Sequence, residues 1–116
     1  MKLWTRLLVV AALMSWALIL LSAKPSFADG KSIFTANKCN GCHAISAQGV
    51  QVVKGDDDDG GKKPPDLSHV GKDHNAQWIA GFLKKTEKLN GKNHKKAWKG
   101  SDADLTTLST WLGSLK

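Results

Sequence analysis

The sequence predicts an all-α fold, and three observations carry the prediction. They are the pentapeptide Cys39-Asn40-Gly41-Cys42-His43, apolar residues at helical spacing before and after it, and a chain too short to bury a large core. Two thiols and an imidazole within five residues are what a chain needs to attach a haem through two thioethers and to give its iron a proximal ligand. The expected architecture is therefore a few helices packed around one covalently attached haem, haem c, held by Cys39 and Cys42 with His43 on the metal.

A C-x-x-C pair also occurs as a dithiol redox site or as half of a zinc site. The first wants a βαβ pattern around it and the second wants two further ligands at short spacing. Neither accompanies the pair here, and the sequence has no other cysteine.

The folded domain is expected to begin near residue 29. Lys2 and Arg6 form a basic start, the run 7–21 is apolar except for Ser15, and Ser26-Phe27-Ala28 offers small residues at the two positions a signal peptidase reads. These features mark 1–28 as a signal peptide cleaved after Ala28, and 29–116 as one domain. A retained membrane anchor is the competing reading, because a run of about fifteen apolar residues is short for a span but flanking residues can extend it. Both readings place the domain in the periplasm or otherwise outside the cytoplasm, and the membrane enters only if the segment is retained.

Removing 28 residues from 116 leaves 88, a size at which small domains often lean on a bound group for stability. The formal charge of +7 falls to +4 in that mature chain, which holds 14 lysines against 10 acids and no arginine. So modest a charge, with no arginine for bidentate base contacts, argues against nucleic-acid binding. A lysine-bearing face that meets an acidic redox partner is the more natural use.

Residues 30–37 read as a short helix with Asp29 as N-cap and Ile33 and Phe34 as apolar contacts. Gly30, Phe34 and Cys39 have the spacing of the first helix of class I c-type cytochromes, which this chain resembles. The resemblance implies that the glycine lets a C-terminal helix cross closely and that the aromatic packs into the crossing. Residues 44–63 read as a polar, glycine-rich loop, with Gln51-Val52-Val53 as a possible extended piece. The four aspartates at 56–59 lack the spacing of a calcium loop and are read as a solvated acidic tip balanced by Lys54, Lys62 and Lys63.

Pro64-Pro65-Asp66-Leu67 is similar to the G-P-D-L segment of the same family, with Pro64 in place of the glycine. The resemblance implies that the Pro65 carbonyl accepts a hydrogen bond from the second ring nitrogen of His43, which orients the imidazole and makes it a better donor, and that Leu67 belongs to the haem surroundings. Residues 75–85 read as a helix with Ala76, Ile79, Phe82 and Leu83 on one side, Trp78 beside them, and Asp73 or Asn75 as cap. Trp78 either donates its indole N–H to a haem propionate, as the resemblance implies, or simply packs. Residues 89–99 are expected to cross the distal face. Gly100 then breaks the chain, and Ser101-Asp102-Ala103-Asp104 opens a final helix with Ser101 as N-cap and a stripe of Leu105, Leu108, Leu112 and Leu115 joined by Trp111. Trp111 stands where the family carries the aromatic that meets the N-terminal helix.

One family feature is missing. Class I members close the distal side with a methionine three residues before an aromatic, but here the methionines are Met1 and Met14, both in the signal segment. Counting back three from Trp98, read as a haem contact, lands on Lys95, with His94 before it. Three distal states stay open: ligation by His94, ligation by a deprotonated Lys95, and no protein ligand at all. His69 and His74 follow the proximal segment too closely to reach the distal face.

The resemblance implies an exported one-electron carrier between redox proteins and not an enzyme. The alternatives are a five-coordinate haem protein that binds a diatomic gas such as NO or CO, and a haem subunit of a larger periplasmic redox complex. The sequence leaves the oligomeric state open.

Overall fold

A computed structural model describes residues 27–53 and 63–116. The basic start and apolar run of the segment read as a signal peptide, Lys54, Lys62 and the aspartates at 56–59 lie outside the described residues. Within them the chain forms α1 (Phe27–Ala36), α2 (Val70–Asp73), α3 (Ala76–Leu83) and α4 (Asp102–Ser114), with 3₁₀ turns at Cys39–Gly41 and Ser46–Gln48. The fold is all-α; among the described residues β-pairing is limited to isolated bridges between Ile45 and Val50 and between Leu89 and Lys92.

Helix α4 is the hub, and α1, α2 and α3 all pack on it. Its start follows from local chemistry: the Ser101 hydroxyl accepts the Asp104 N–H at 3.1 Å, and Asp102 and Asp104 place negative charge in the first turn, where the helix dipole favours it. Leu105, Leu108, Trp111 and Leu112 are buried along it, with Leu115 just past its end. Ser109 shares that buried face because its hydroxyl donates to the Leu105 carbonyl at 2.7 Å.

Helix α1 crosses α4 at Gly30. A side-chain carbon on Gly30 would lie 2.3 Å from Trp111 Cβ, so only glycine permits this approach. Phe34, buried almost completely, meets the Trp111 ring edge-on with centroids 6.0 Å apart. The helix starts at Phe27, so Asp29 lies in its first turn instead of capping it, a place that still suits a carboxylate.

Helix α3 is capped by Asn75, whose side-chain oxygen accepts the Trp78 N–H at 2.8 Å. Asp73 instead ends α2, a turn of helix the sequence pattern did not show. α2 is drawn against the end of α4 by a 2.7 Å bond from Gly71 N–H to the Leu115 carbonyl. Helix α3 stops at Leu83, short of residue 85, and Lys85 takes a left-handed φ of 63° that turns the chain away.

The segment after the pentapeptide departs most from expectation. Ile45 is fully buried and Val50 nearly so, and their backbones exchange two hydrogen bonds around a turn that Gly49 closes at φ 69°. A stretch read as solvated loop thus puts two aliphatic residues into the core, while Gln51-Val52-Val53 form no strand.

Candidate functional site

Helix α1 delivers the pentapeptide. Lys38, left-handed at φ 57°, turns the chain out of the helix, and the 3₁₀ turn Cys39–Gly41 is closed by His43 N–H donating to the Cys39 carbonyl at 2.9 Å. Both cysteines are free thiols and half-buried. Burial pushes the Cys39 thiol up from its usual range, partly opposed by its own backbone and by the charge of Lys96, which places the distal loop beside this cysteine.

His43 is fixed from the proximal side. Its Nδ1 lies 2.9 Å from the Pro65 carbonyl oxygen; with the proton on Nδ1, the Nε2 lone pair is left for a metal. Burial lowers the His43 pKa, the Pro65 carbonyl works against that by favouring the protonated ring, and His94 lowers it further. Asp66 holds the Pro65 segment in place. Its carboxylate accepts the N–H and hydroxyl of Ser46 on one oxygen and the N–H and hydroxyl of Ser68 on the other. Those donors, the Ser46 and Ser68 hydroxyls first, hold the Asp66 carboxyl well below the usual carboxylate range. Leu67 N–H donates to the Ala44 carbonyl at 2.9 Å, binding the same segment to the residue after His43.

The distal stretch folds over the site. Trp98 N–H donates to the Leu83 carbonyl at 2.9 Å, Asn93 Nδ2 to the Lys85 carbonyl at 2.8 Å and Lys85 Nζ to the Lys95 carbonyl at 3.2 Å, pinning the loop to the end of α3. Asn90 and Gly91, with φ of 50° and 77°, let it reverse direction. His94 is thereby placed opposite His43, with ring centroids 6.1 Å apart and planes 19° from parallel. Its Nδ1 lies 2.6 Å from the Lys96 carbonyl, and Phe82 meets its ring edge-on at 5.2 Å.

The structure thus gathers Cys39, Cys42, His43, Pro65 and His94 in one region. Leu67 and Trp98 pack, half-buried, against the adjoining core. The Trp98 indole N–H donates to the Ser101 carbonyl at 3.1 Å, so that ring joins the distal loop to the start of α4. Trp78 lies between His74 and Phe82, stacked on them at centroid distances of 3.6 and 4.9 Å, and so belongs to a row of rings leading to His94. His74 ends that row and His69 is exposed before α2. Phe82 and the Asp66 cluster are site neighbours that sequence reasoning did not assign. For Asp66 the signal was the Asp-x-Ser order at 66–68, the pattern of an Asx turn.

These residues fit a covalently attached haem. The thiols are half-exposed instead of sealed in the core, and a preoriented imidazole follows them directly. Among the described residues no three His, Cys, Asp or Glu side chains are grouped so as to hold a bare metal ion. A family model described as Cytochrome c matches residues 27–116. No curated protein and no solved structure matches the chain.

Proposed function

Because this chain belongs to the cytochrome c family, we propose that it is an exported carrier of single electrons between larger redox proteins and performs no catalysis of its own. Haem c, the family's cofactor, supplies a reversible one-electron couple at its iron when bound. The chain does the rest. Cys39 and Cys42 tether the group, His43 offers Nε2 as a ligand, and the Pro65 carbonyl sets the direction and basicity of that ring. Asp66 keeps the carbonyl there through the two serines.

The observation that carries the reading is the 2.9 Å contact from His43 Nδ1 to Pro65 O, directly after two free thiols. It is the arrangement of a histidine prepared to bind iron and held from swinging away. Lys38, Lys92, Lys95, Lys96 and Lys99 are exposed around the pentapeptide and the distal loop, which suits an acidic partner.

The test is expression beside a haem-attachment system. The intact mass should rise by one haem with both thiols blocked to alkylation, and voltammetry should give one reversible one-electron wave. Electron exchange with an acidic redox protein should slow as ionic strength rises. A chain that carries no covalent haem, or turns over peroxide far faster than it exchanges electrons, would overturn the proposal.

A further inference from the structure

We infer that His94 is the second axial ligand of the haem iron, giving a bis-imidazole site in place of the histidine–methionine pair usual in this family. The inference rests on the haem-binding reading above and adds the identity of the distal group.

Three observations carry it. The first is spacing. Two imidazoles bound through nitrogen on opposite sides of one metal have ring centres about 6.3 Å apart, from a bond of about 2 Å and about 1.15 Å between nitrogen and ring centre on each side. His43 and His94 stand 6.1 Å apart. That is much wider than a direct ring stack, for which the 3.6 Å of His74 on Trp78 is the internal comparison.

The second is that both rings are prepared in the same way. His43 has Nδ1 on the Pro65 carbonyl at 2.9 Å and His94 has Nδ1 on the Lys96 carbonyl at 2.6 Å. In each the backbone oxygen selects the tautomer with the proton on Nδ1 and leaves Nε2 as the donor, the outer support that metal-ligating histidines require. The ring planes, 19° from parallel, were set by two unrelated loops.

The third is rigidity. His94 sits in a loop pinned to α3 by Trp98 N–H, Asn93 Nδ2 and Lys85 Nζ, and Phe82 packs edge-on against its ring. A ligand held like this loses little freedom on binding. Its neighbour Lys95 is exposed, and its carbonyl receives Lys85 Nζ.

The experiment uses the holoprotein and reads spectra. Ferric and ferrous forms should both be low-spin, and carbon monoxide should leave the ferrous spectrum unchanged over minutes. His94→Ala should convert both forms to high-spin and admit carbon monoxide stoichiometrically, Lys95→Ala should change neither, and His94→Met should restore a low-spin ferrous form at a higher midpoint potential than the parent. A parent that is high-spin and binds carbon monoxide with haem attached overturns this inference and favours a gas-binding role. A His94→Ala variant that stays low-spin overturns it in favour of Lys95 or another group. Failure to attach haem at all, by contrast, would strike the cytochrome reading itself.

Discussion

Gly30→Ala sets two effects of opposite sign against each other. Alanine is a better helix former than glycine by about 1 kcal/mol, so propensity alone predicts a more stable α1. The structure predicts the reverse. The new methyl would lie 2.3 Å from Trp111 Cβ, 2.4 Å from Cγ and 2.8 Å from Cδ2. Unstrained carbons sit about 3.5 to 4 Å apart, so α1 and α4 must separate by roughly 1 Å or more at the crossing. The nearest atom belongs to the Cα–Cβ stem and not to a movable side-chain end, and no rotamer of Trp111 relieves it. Overpacking of this kind costs about 1 to 3 kcal/mol, and separation also loosens the contacts of Phe34. Against the propensity gain, that range leaves a net loss of up to about 2 kcal/mol before the loosened Phe34 contacts are added, or a melting temperature lower by up to roughly 16 °C in a domain of this size. Thermal unfolding followed by far-ultraviolet circular dichroism and by haem absorbance, on parent and variant holoprotein, measures it. A variant as stable as the parent, or more so, would refute the close crossing.

Two further outcomes test other parts of the structure. Asp66→Asn should destabilise the protein at neutral pH. Because the folded-state pKa of Asp66 is depressed, its stabilisation is fully present above the ordinary carboxylate value near 3.9 and is lost as pH falls through the folded value, so the gap between parent and variant in melting temperature should begin to narrow below about pH 4 and close only as pH falls on through the folded value; a gap that stays constant with pH would rule out the hydrogen-bonded carboxylate. Ser101→Ala should cost about 1 kcal/mol by removing the cap on α4, whereas Ser101→Gly should cost only about a few tenths, and chemical denaturation of the two variants separates the cap from a general sensitivity of this position.

What was legible in the sequence was mostly what short-range chemistry encodes. The haem pentapeptide, the Ser101 cap and the leucine stripe of α4 are each contained within one turn or one helix face, and each stands where the pattern put it. The Gly30–Trp111 crossing was legible by resemblance, since no local rule connects residues so far apart in the chain. The misses share a cause. Ile45 and Val50 sit among glycines and polar residues, and only tertiary contact decides that their turn points inward. Helix α2 is a single turn that owes its place to the Leu115 carbonyl, a partner 44 positions beyond Gly71 (115 minus 71) and absent from any window. At the distal face the sequence left two neighbouring side chains, His94 and Lys95, and an open site as alternatives. Hydrogen bonds from the loop to the Leu83 and Lys85 carbonyls bring His94 to face His43, and those acceptors lie outside the loop itself.

The crossing of α1 and α4 also imposes an order in time. Gly30 and Trp111 are 81 positions apart (111 minus 30), so during synthesis the first helix exists long before its partner does. A helix of 10 residues is marginal alone in water, and α1 therefore has little reason to persist until the last residues are made. Cys39 and Cys42, which follow it directly, lie outside any completed helix crossing throughout that interval. Docking of α4 ends the interval by closing the crossing at Gly30. One glycine and one tryptophan at a helix crossing thus separate a phase in which the chain can be chemically modified from one in which it is a finished protein.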